Sequence, residues 1–331
     1  MPDETASRPR RWWSVVRGWL DPLVMMIVAV LVLGLLWPAD GTFATVLEHV
    51  RTGAIVLLFF LYGARMPTHE VLAGLRNWRL QGSMLAATFL VFPLLGLLVQ
   101  LLPDTVLAPE LQTGLLYLSL LPSTVQSSVV FTSVARGDVA GAITGATISN
   151  VVGVVATPLL VALLMGASTG GLDAGSLTSI LFQILLPFVV GQALQRWLGA
   201  WLRAHGGLTR VTDRATILLV AYTSVSEAQV SGAWDHVTAV ALVVLVVVCA
   251  VLLAAMLTLT WWGGGRLHLA RASRIALLMC GSKKSLATGL PMAAVLFSPV
   301  LAASVALPVI VFHQIQLATC AVLARRLARV G

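Results

Sequence analysis

The feature that most constrains this chain is the recurrence of long apolar runs, among them Pro22–Trp37, Val139–Met165 and Val237–Trp262. Each approaches or exceeds the roughly 20 residues that an α-helix needs to cross the hydrocarbon of a bilayer. Strands of a membrane barrel would read instead as short segments of alternating polarity, and none do. Composition agrees: 58% of the 331 residues are hydrophobic and 10% are charged, where soluble domains carry about 25% charge. A soluble core could not hide so much apolar side chain behind so few charges. The sequence predicts an all-α integral membrane protein, one membrane domain over residues 1–331, and it excludes a soluble enzyme.

Spans are expected at 21–38, 43–64, 79–102, 110–136, 138–165, 177–199, 209–229, 236–262, 270–297 and 299–324. The basic residues fall in alternate connections. Arg8, Arg10, Arg11 and Arg17 lie in or near an amino-terminal segment, 1–19, with Arg65, Arg76 and Arg79 after the second span and Arg136 after the fourth. Arg196, Arg203, Arg210 and Arg214 follow the sixth span, Arg266, Arg271 and Arg274 the eighth, and Arg325, Arg326 and Arg329 the tenth. Eighteen of the 21 Lys and Arg residues are thus on one side, against Arg51 alone on the other. That other side carries the acids Asp40, Glu48, Asp104, Glu110, Asp173, Glu227 and Asp235. By the positive-inside rule both termini are cytoplasmic, in a cell (inner) membrane, which requires an even number of spans. Ten fits.

The arginine-rich start could be taken for a secretory leader, but no convincing small-x-small site follows Trp37, so an uncleaved first helix is expected. The net charge of +8 is spread singly between apolar runs with no basic stripe; membrane topology explains it better than nucleic acid does. Cys249, Cys280 and Cys320 each sit alone in an apolar stretch, which argues against disulfides and metal ligation. No cofactor is implied. The ten tryptophans all fall near span ends, as interfacial anchors do.

Two basic residues remain, Lys283 and Lys284, the only lysines in the chain. Both lie near the middle of the ninth span, where a charge costs at least about 2.5–3.5 kcal/mol on insertion scales. Such residues face a cavity or a partner. On a regular helix two neighbours point about 100° apart, and one would tend to face lipid. Gly281 and Ser282 indicate an unwound stretch instead, its freed backbone groups lining water. A loop between two shorter helices is the plain alternative, but it leaves Ser285–Phe297 too short to cross. No carboxylate follows Asp235. The ammonium groups therefore find an acid in the first seven spans, are solvated in a cavity, meet an anionic ligand, or are held partly neutral.

The fourth span carries a similar interruption. Pro122 removes a backbone donor, and Ser123, Thr124, Gln126, Ser127 and Ser128 follow it. An ordinary kink with hydroxyls bonded to the preceding turn is one reading. Interruptions at corresponding places, the fourth and the ninth spans, are also what two inverted five-helix repeats would give, here 20–168 and 174–325. In such proteins the half-helix ends form the substrate and ion sites. Pro158 in the fifth span and Pro308 in the tenth echo the same symmetry weakly.

These residues resemble the bile acid:sodium symporter (BASS) family, and its bacterial symporter-like (SBF-like) branch in particular, over about residues 20–325. The most specific pieces are Ala135-Arg136-Gly137-Asp138-Val139-Ala140 and the run from Gly281 through Ser282-Lys283-Lys284-Ser285-Leu286 to Met292, supported by Gly74-Leu75-Arg76-Asn77-Trp78. The resemblance implies a panel of spans 1, 2, 6 and 7, a core of spans 3–5 and 8–10, and fourth and ninth spans that cross as broken helices. It also implies sodium ligands in coupled members: an acid followed by a Gln-Asn pair in the ninth span, with hydroxyls and amides of the fourth and fifth. Here Leu278 stands where the acid is expected, Ser282-Lys283 where Gln-Asn is, and Ala142 and Ala146 where hydroxyls are. The resemblance therefore argues against sodium coupling and leaves the proton as an alternative. A lysine, Lys284 by its place in the branch's Lys-Ser-Leu, would supply the missing positive charge.

Gly137, Gly141 and Gly145 have the spacing of close helix packing. Asn150 is either interhelical glue or cavity lining. His313 could relay protons or hold a structural hydrogen bond, with Gln314 and Gln316 beside it. Gln183 and Gln192 could line the panel side of a cleft, and Glu227 could serve as a lysine counter-ion only if its end dips inward. The expected substrate site comprises Lys283, Lys284, Ser282, Ser285, Ser123, Thr124, Gln126, Ser127, Ser128, Asn150, His313 and Gln314. The functional expectation is secondary-active transport of a small organic, anionic solute by alternating access, in contact with membrane lipids. A non-transporting membrane regulator or lipid-handling protein on the same fold is the alternative.

Overall fold

The computed structural model describes residues 22–66, 77–166, 174–230 and 238–329. Segment 1–19, Gly74 to Arg76, Asp173, Trp234 and Asp235 lie outside the described residues. Among the described residues every regular element is a helix: α1 Pro22–Leu36, α2 Gly41–Arg65, α3 Trp78–Val99, α4 Pro109–Leu120, α5 Gln126–Val134 and α6 Val139–Met165. There follow α7 Ala174–Ala204, α8 Gly206–Val230, α9 Ala239–Arg266, α10 Arg271–Gly281, α11 Leu286–Leu296 and α12 Pro299–Arg329. Five of them, α2, α3, α6, α9 and α12, are long and apolar enough to cross a membrane. Leu36, Leu163 and Val240 stand 76%, 77% and 72% exposed, an apolar surface that suits lipid rather than water. The chain is an all-α integral membrane protein.

Helix ends are set by local chemistry. Asp138 caps α6 by accepting the Gly141 N–H at 2.8 Å, and Thr238 caps α9 by accepting that of Ala241 at 3.2 Å. An uncapped first turn would leave such donors without partners. Asp138 also ties α6 to the start of α10: its N–H donates to the Ala272 carbonyl at 2.9 Å, and its carboxylate accepts from Ser273 Oγ at 3.4 Å. Arg136 before it has φ of 59°, and Gly137 leaves room for Ile275, 2.6 Å from where a Cβ would be. The Ala135–Ala140 motif is thus the corner that turns α5 into α6.

Small residues decide the closest helix contacts, as the glycine spacing predicts. Gly145 lies against Met84, and Gly141 against Leu80, whose Cδ2 is 2.7 Å from where a Cβ on the glycine would be. The tightest pair is α2 with α7: a Cβ on Gly63 would overlap the Phe188 carbonyl, and one on Gly191 the Phe60 carbonyl. The two backbones touch. Gly191→Val is expected to force them apart at a cost of about 1–3 kcal/mol, read as a lower midpoint in thermal unfolding of the detergent-solubilised protein.

Candidate functional site

Two helices stop in the middle of the molecule, and their ends meet. α4 ends at Leu120 and α5 begins at Gln126; α10 ends at Gly281 and α11 begins at Leu286. A helix that ends in apolar surroundings leaves its last carbonyls without partners, at several kcal/mol each where no water is available. Here nearly every one is accounted for. In the first break, the Leu120 carbonyl accepts from Thr157 Oγ1 at 2.8 Å, that of Pro122 from the Ser285 N–H at 2.8 Å, and that of Ser123 from Asn150 Nδ2 at 2.8 Å. In the second, the carbonyl of Leu278 accepts from Ser282 Oγ at 2.6 Å. Those of Met279 and Cys280 accept from Ser128 Oγ at 2.9 Å and Ser123 Oγ at 2.6 Å. The hydroxyls of one break thus close the helix end of the other.

Lys284 takes what is left. Its Nζ donates to the carbonyls of Ser119 and Leu121, each at 2.7 Å, and of Thr88 at 2.8 Å. The negative end of a helix dipole favours a cation, and Ser119 and Leu121 are at that end of α4. Thr88 is free for a different reason. Residues Ala87–Val91 of α3 form a π-helical turn in which the Phe92 N–H donates to Ala87, and Pro93, the next residue, has no N–H to give. The Thr88 carbonyl is left without a donor in its own helix, and the ammonium fills the gap. The Phe92 ring centroid lies 4.3 Å from the same Nζ, a favourable face for a cation. Lys284 is 1% exposed.

Lys283 is placed differently. It is 0% exposed, its Nζ is 3.5 Å from Ser127 Oγ, and it sits 4.2 Å from the Phe131 ring centroid. Among the described residues, the two ion pairs are Arg51–Glu48 at 3.3 Å and Arg65–Asp213 at 3.2 Å, so neither lysine is in one. Glu227, considered as a counter-ion, is exposed.

A cavity of about 1020 Å³ opens beside the breaks. Its inner wall is made by Thr124, Gln126, Ser127, Asn150, Ser285 and His313. Arg65, Arg210, Arg214 and Arg325 line it as well, with Asp213 bound to Arg65. Val130, Phe131, Val154 and Ile217 supply its apolar surface. Six of the twelve expected site residues therefore reach the cavity. Ser123, Ser128, Ser282, Lys283 and Lys284 lie behind it and hold the breaks together, and Gln314, Gln183 and Gln192 do not line it. Asn150 does both things expected of it, bonding the first break and lining the cavity. The sequence reading passed over Thr88, whose signal was Pro93 five residues on. It also left Gln316 out of the site, although an amide within an apolar span is signal enough.

Half-helices that meet at a buried cation beside a polar-walled cavity, within a helical membrane protein, make a solute transporter of the broken-helix kind. Residues 21–329 match the SBF-like CPA transporter family, and the chain belongs to that family, on the bile acid:sodium symporter side of membrane transport. It is a transporter, not an enzyme. It is 46% identical to "Uncharacterized protein PA2026" of Pseudomonas aeruginosa, over 93% of each chain. It is 42% identical to "Putative symporter YfeH" of Escherichia coli, over 94% of this chain and 93% of that one. "Sodium/bile acid cotransporter 7" of Rattus norvegicus is 26% identical over 80% of this chain and 78% of its own.

The two lysines should respond differently to removal. Lys284→Met leaves three buried carbonyls without a donor and should cost on the order of 3 kcal/mol or more. Lys283→Met removes a desolvated charge with one long hydrogen bond and should cost less than about 1 kcal/mol, or stabilise. Thermal unfolding of the two purified variants against wild type checks the difference.

Proposed function

We propose that this chain is a secondary-active transporter of a small organic anion, working by alternating access between a panel and a core. The ten spans are α1, α2, α3, α4 with α5, α6, α7, α8, α9, α10 with α11, and α12. They divide into inverted repeats at 20–168 and 174–325, with α1, α2, α7 and α8 as the panel. Supporting the division are the two breaks, each within its repeat's fourth span, and the proline inside the span that follows, Pro158 in α6 and Pro308 in α12. The basic connections favour both termini on the cytoplasmic side of a cell (inner) membrane, and the arginine-lined side of the cavity with them.

The observation that carries the reading is the cavity. Its polar inner wall is built from both breaks, through Thr124, Ser127 and Ser285, and its lining holds four arginines against one acid. An anionic head with an apolar body satisfies both kinds of surface, and the expected site residues on the inner wall would select it. Lys284 is the resident cation of the helix ends, so the charge that a coupling ion would bring is already covalently in place. The name of the rat relative joins sodium to bile acid; for this chain the proposed coupling ion is the proton.

Uptake of a radiolabelled bile acid into proteoliposomes tests the proposal. It should persist when choline replaces sodium and be lost in Lys284→Ala. Asn150→Ala should lower it about tenfold, the worth of one hydrogen bond of about 1.4 kcal/mol. Strict dependence on sodium would overturn the resident-cation assignment.

A further inference from the structure

Gln316, fully buried in α12, holds the non-helical backbone of Lys284 with both ends of its amide. Its Oε1 accepts from the Lys284 N–H at 2.9 Å, and its Nε2 donates to the Lys284 carbonyl at 2.9 Å. A backbone N–H can only donate and a carbonyl only accept, so the amide cannot be turned round. Its Nε2 also meets Nδ1 of His313 at 2.9 Å. Since Gln316 must be the donor there, Nδ1 must be the acceptor. His313 is therefore uncharged, with its proton on Nε2. The same imidazole lines the cavity, which opens it to protons from water.

An imidazolium carries an N–H on both nitrogens. Protonated, His313 would set one donor against another across 2.9 Å, and the bond to Gln316 could not persist. We propose that His313 is the proton-binding site of this transporter, and that its protonation releases the Gln316 clamp on the Lys284 backbone and loosens the junction of the two half-helices. One proton moves from cavity water to Nδ1, and one hydrogen bond is lost. The claim that this proton is coupled to solute rests on the transport reading; the clamp does not.

The charges around His313 link the proton to an anion. α12 packs against α4, α5, α8, α9 and α11, and α10 reaches its carboxyl end, where Arg271 donates to the Leu327 carbonyl at 2.8 Å. α5 and α11 carry no titratable side chain. α4 brings Glu110 in its first turn and Tyr117, bonded to the Gly289 carbonyl. α8 brings Arg210, Asp213 and Arg214 to the cavity wall, with Tyr222 and Glu227 further along, and α9 brings Cys249 and Arg266. α12 itself has Cys320, Arg325, Arg326 and Arg329, α2 contributes Arg65 to the wall, and Lys283 and Lys284 sit behind it. Positive groups dominate among these described residues, so an anion that enters the cavity is drawn toward the wall on which the imidazole stands.

Hydrogen–deuterium exchange of the full chain in detergent tests the clamp without any solute. Peptides spanning 279–290 would be followed by mass spectrometry and corrected for the intrinsic effect of pH on exchange. In wild type, protection of the Lys284 amide should fall at least about tenfold between about pH 8 and about pH 5.5, across the range where an imidazole titrates. His313→Asn, whose amide oxygen accepts from Gln316 at any pH, should stay protected throughout. Gln316→Met should be poorly protected at both ends. Flat wild-type protection would overturn the proposal, as would a His313→Asn that loses protection in step with wild type. The wild-type curve decides the question even where a variant does not fold. Bile acid uptake that fails beside a pH-dependent clamp sinks the transport reading alone; uptake beside flat protection sinks the clamp alone.

Discussion

The junction at the centre of this protein is held by unsatisfied carbonyls and the donors brought to them. Interrupting a helix inside a membrane exposes the part of the backbone that hydrocarbon tolerates least. Two interruptions placed against each other solve the problem mutually: serine hydroxyls of the first close the second, and the ammonium of Lys284 closes the first. The charge needs no carboxylate, because three carbonyl dipoles and an aromatic face surround it. A third helix is drawn in through Thr88, where Pro93 has already opened a place. The hydroxyl-rich sequence after Pro122 and the lysine pair after Ser282 are thus two halves of one bonding scheme, 157 residues apart where Ser123 meets Cys280.

Much of this was legible in the residues. The apolar runs marked an all-helical membrane protein, Pro122 and Gly281 marked the interruptions, and the lysines stood out as charges within an apolar stretch. What the sequence left open was direction. Both lysines were candidates for the solute, Lys284 favoured only by its place in Lys-Ser-Leu, and contact separates them: one ammonium is caged by carbonyls and the other rests on Phe131 beside Ser127. Neither lines the cavity. A one-dimensional reading sees polarity at depth but cannot tell a group that faces an opening from one that braces the wall behind it. Ser123 and Ser128 are of the second kind, Thr124 and Ser127 of the first, within six consecutive positions. Gln316 was visible as an amide within an apolar span, but its partner, the backbone of Lys284, carries no signature in the sequence.

In the mechanism we propose, Lys284 stands where a coupling ion would otherwise serve the helix ends. A metal ion at a helix end must arrive, lose water and leave again. A lysine is attached, so in the proposed cycle the electrostatic demand of the helix ends needs no arriving ion to meet it. Whatever changes during transport must then be something other than occupancy of that place, which directs attention to neutral groups that can become charged.

The hydroxyl of Tyr117 in α4 reaches across to the carbonyl of Gly289 in α11 at 2.6 Å, while its ring packs edge-on against Phe297 at 5.0 Å between centroids. α4 lies before the first break and α11 after the second. The strut therefore joins opposite arms of the two interrupted helices on the far side from the Ser128–Met279 contact, so the arms are tied on both flanks. Such ties resist a scissor-like hinge at the gaps. While both ties hold, an excursion carries the two arms along together, with the bending left to the connections that lead into them.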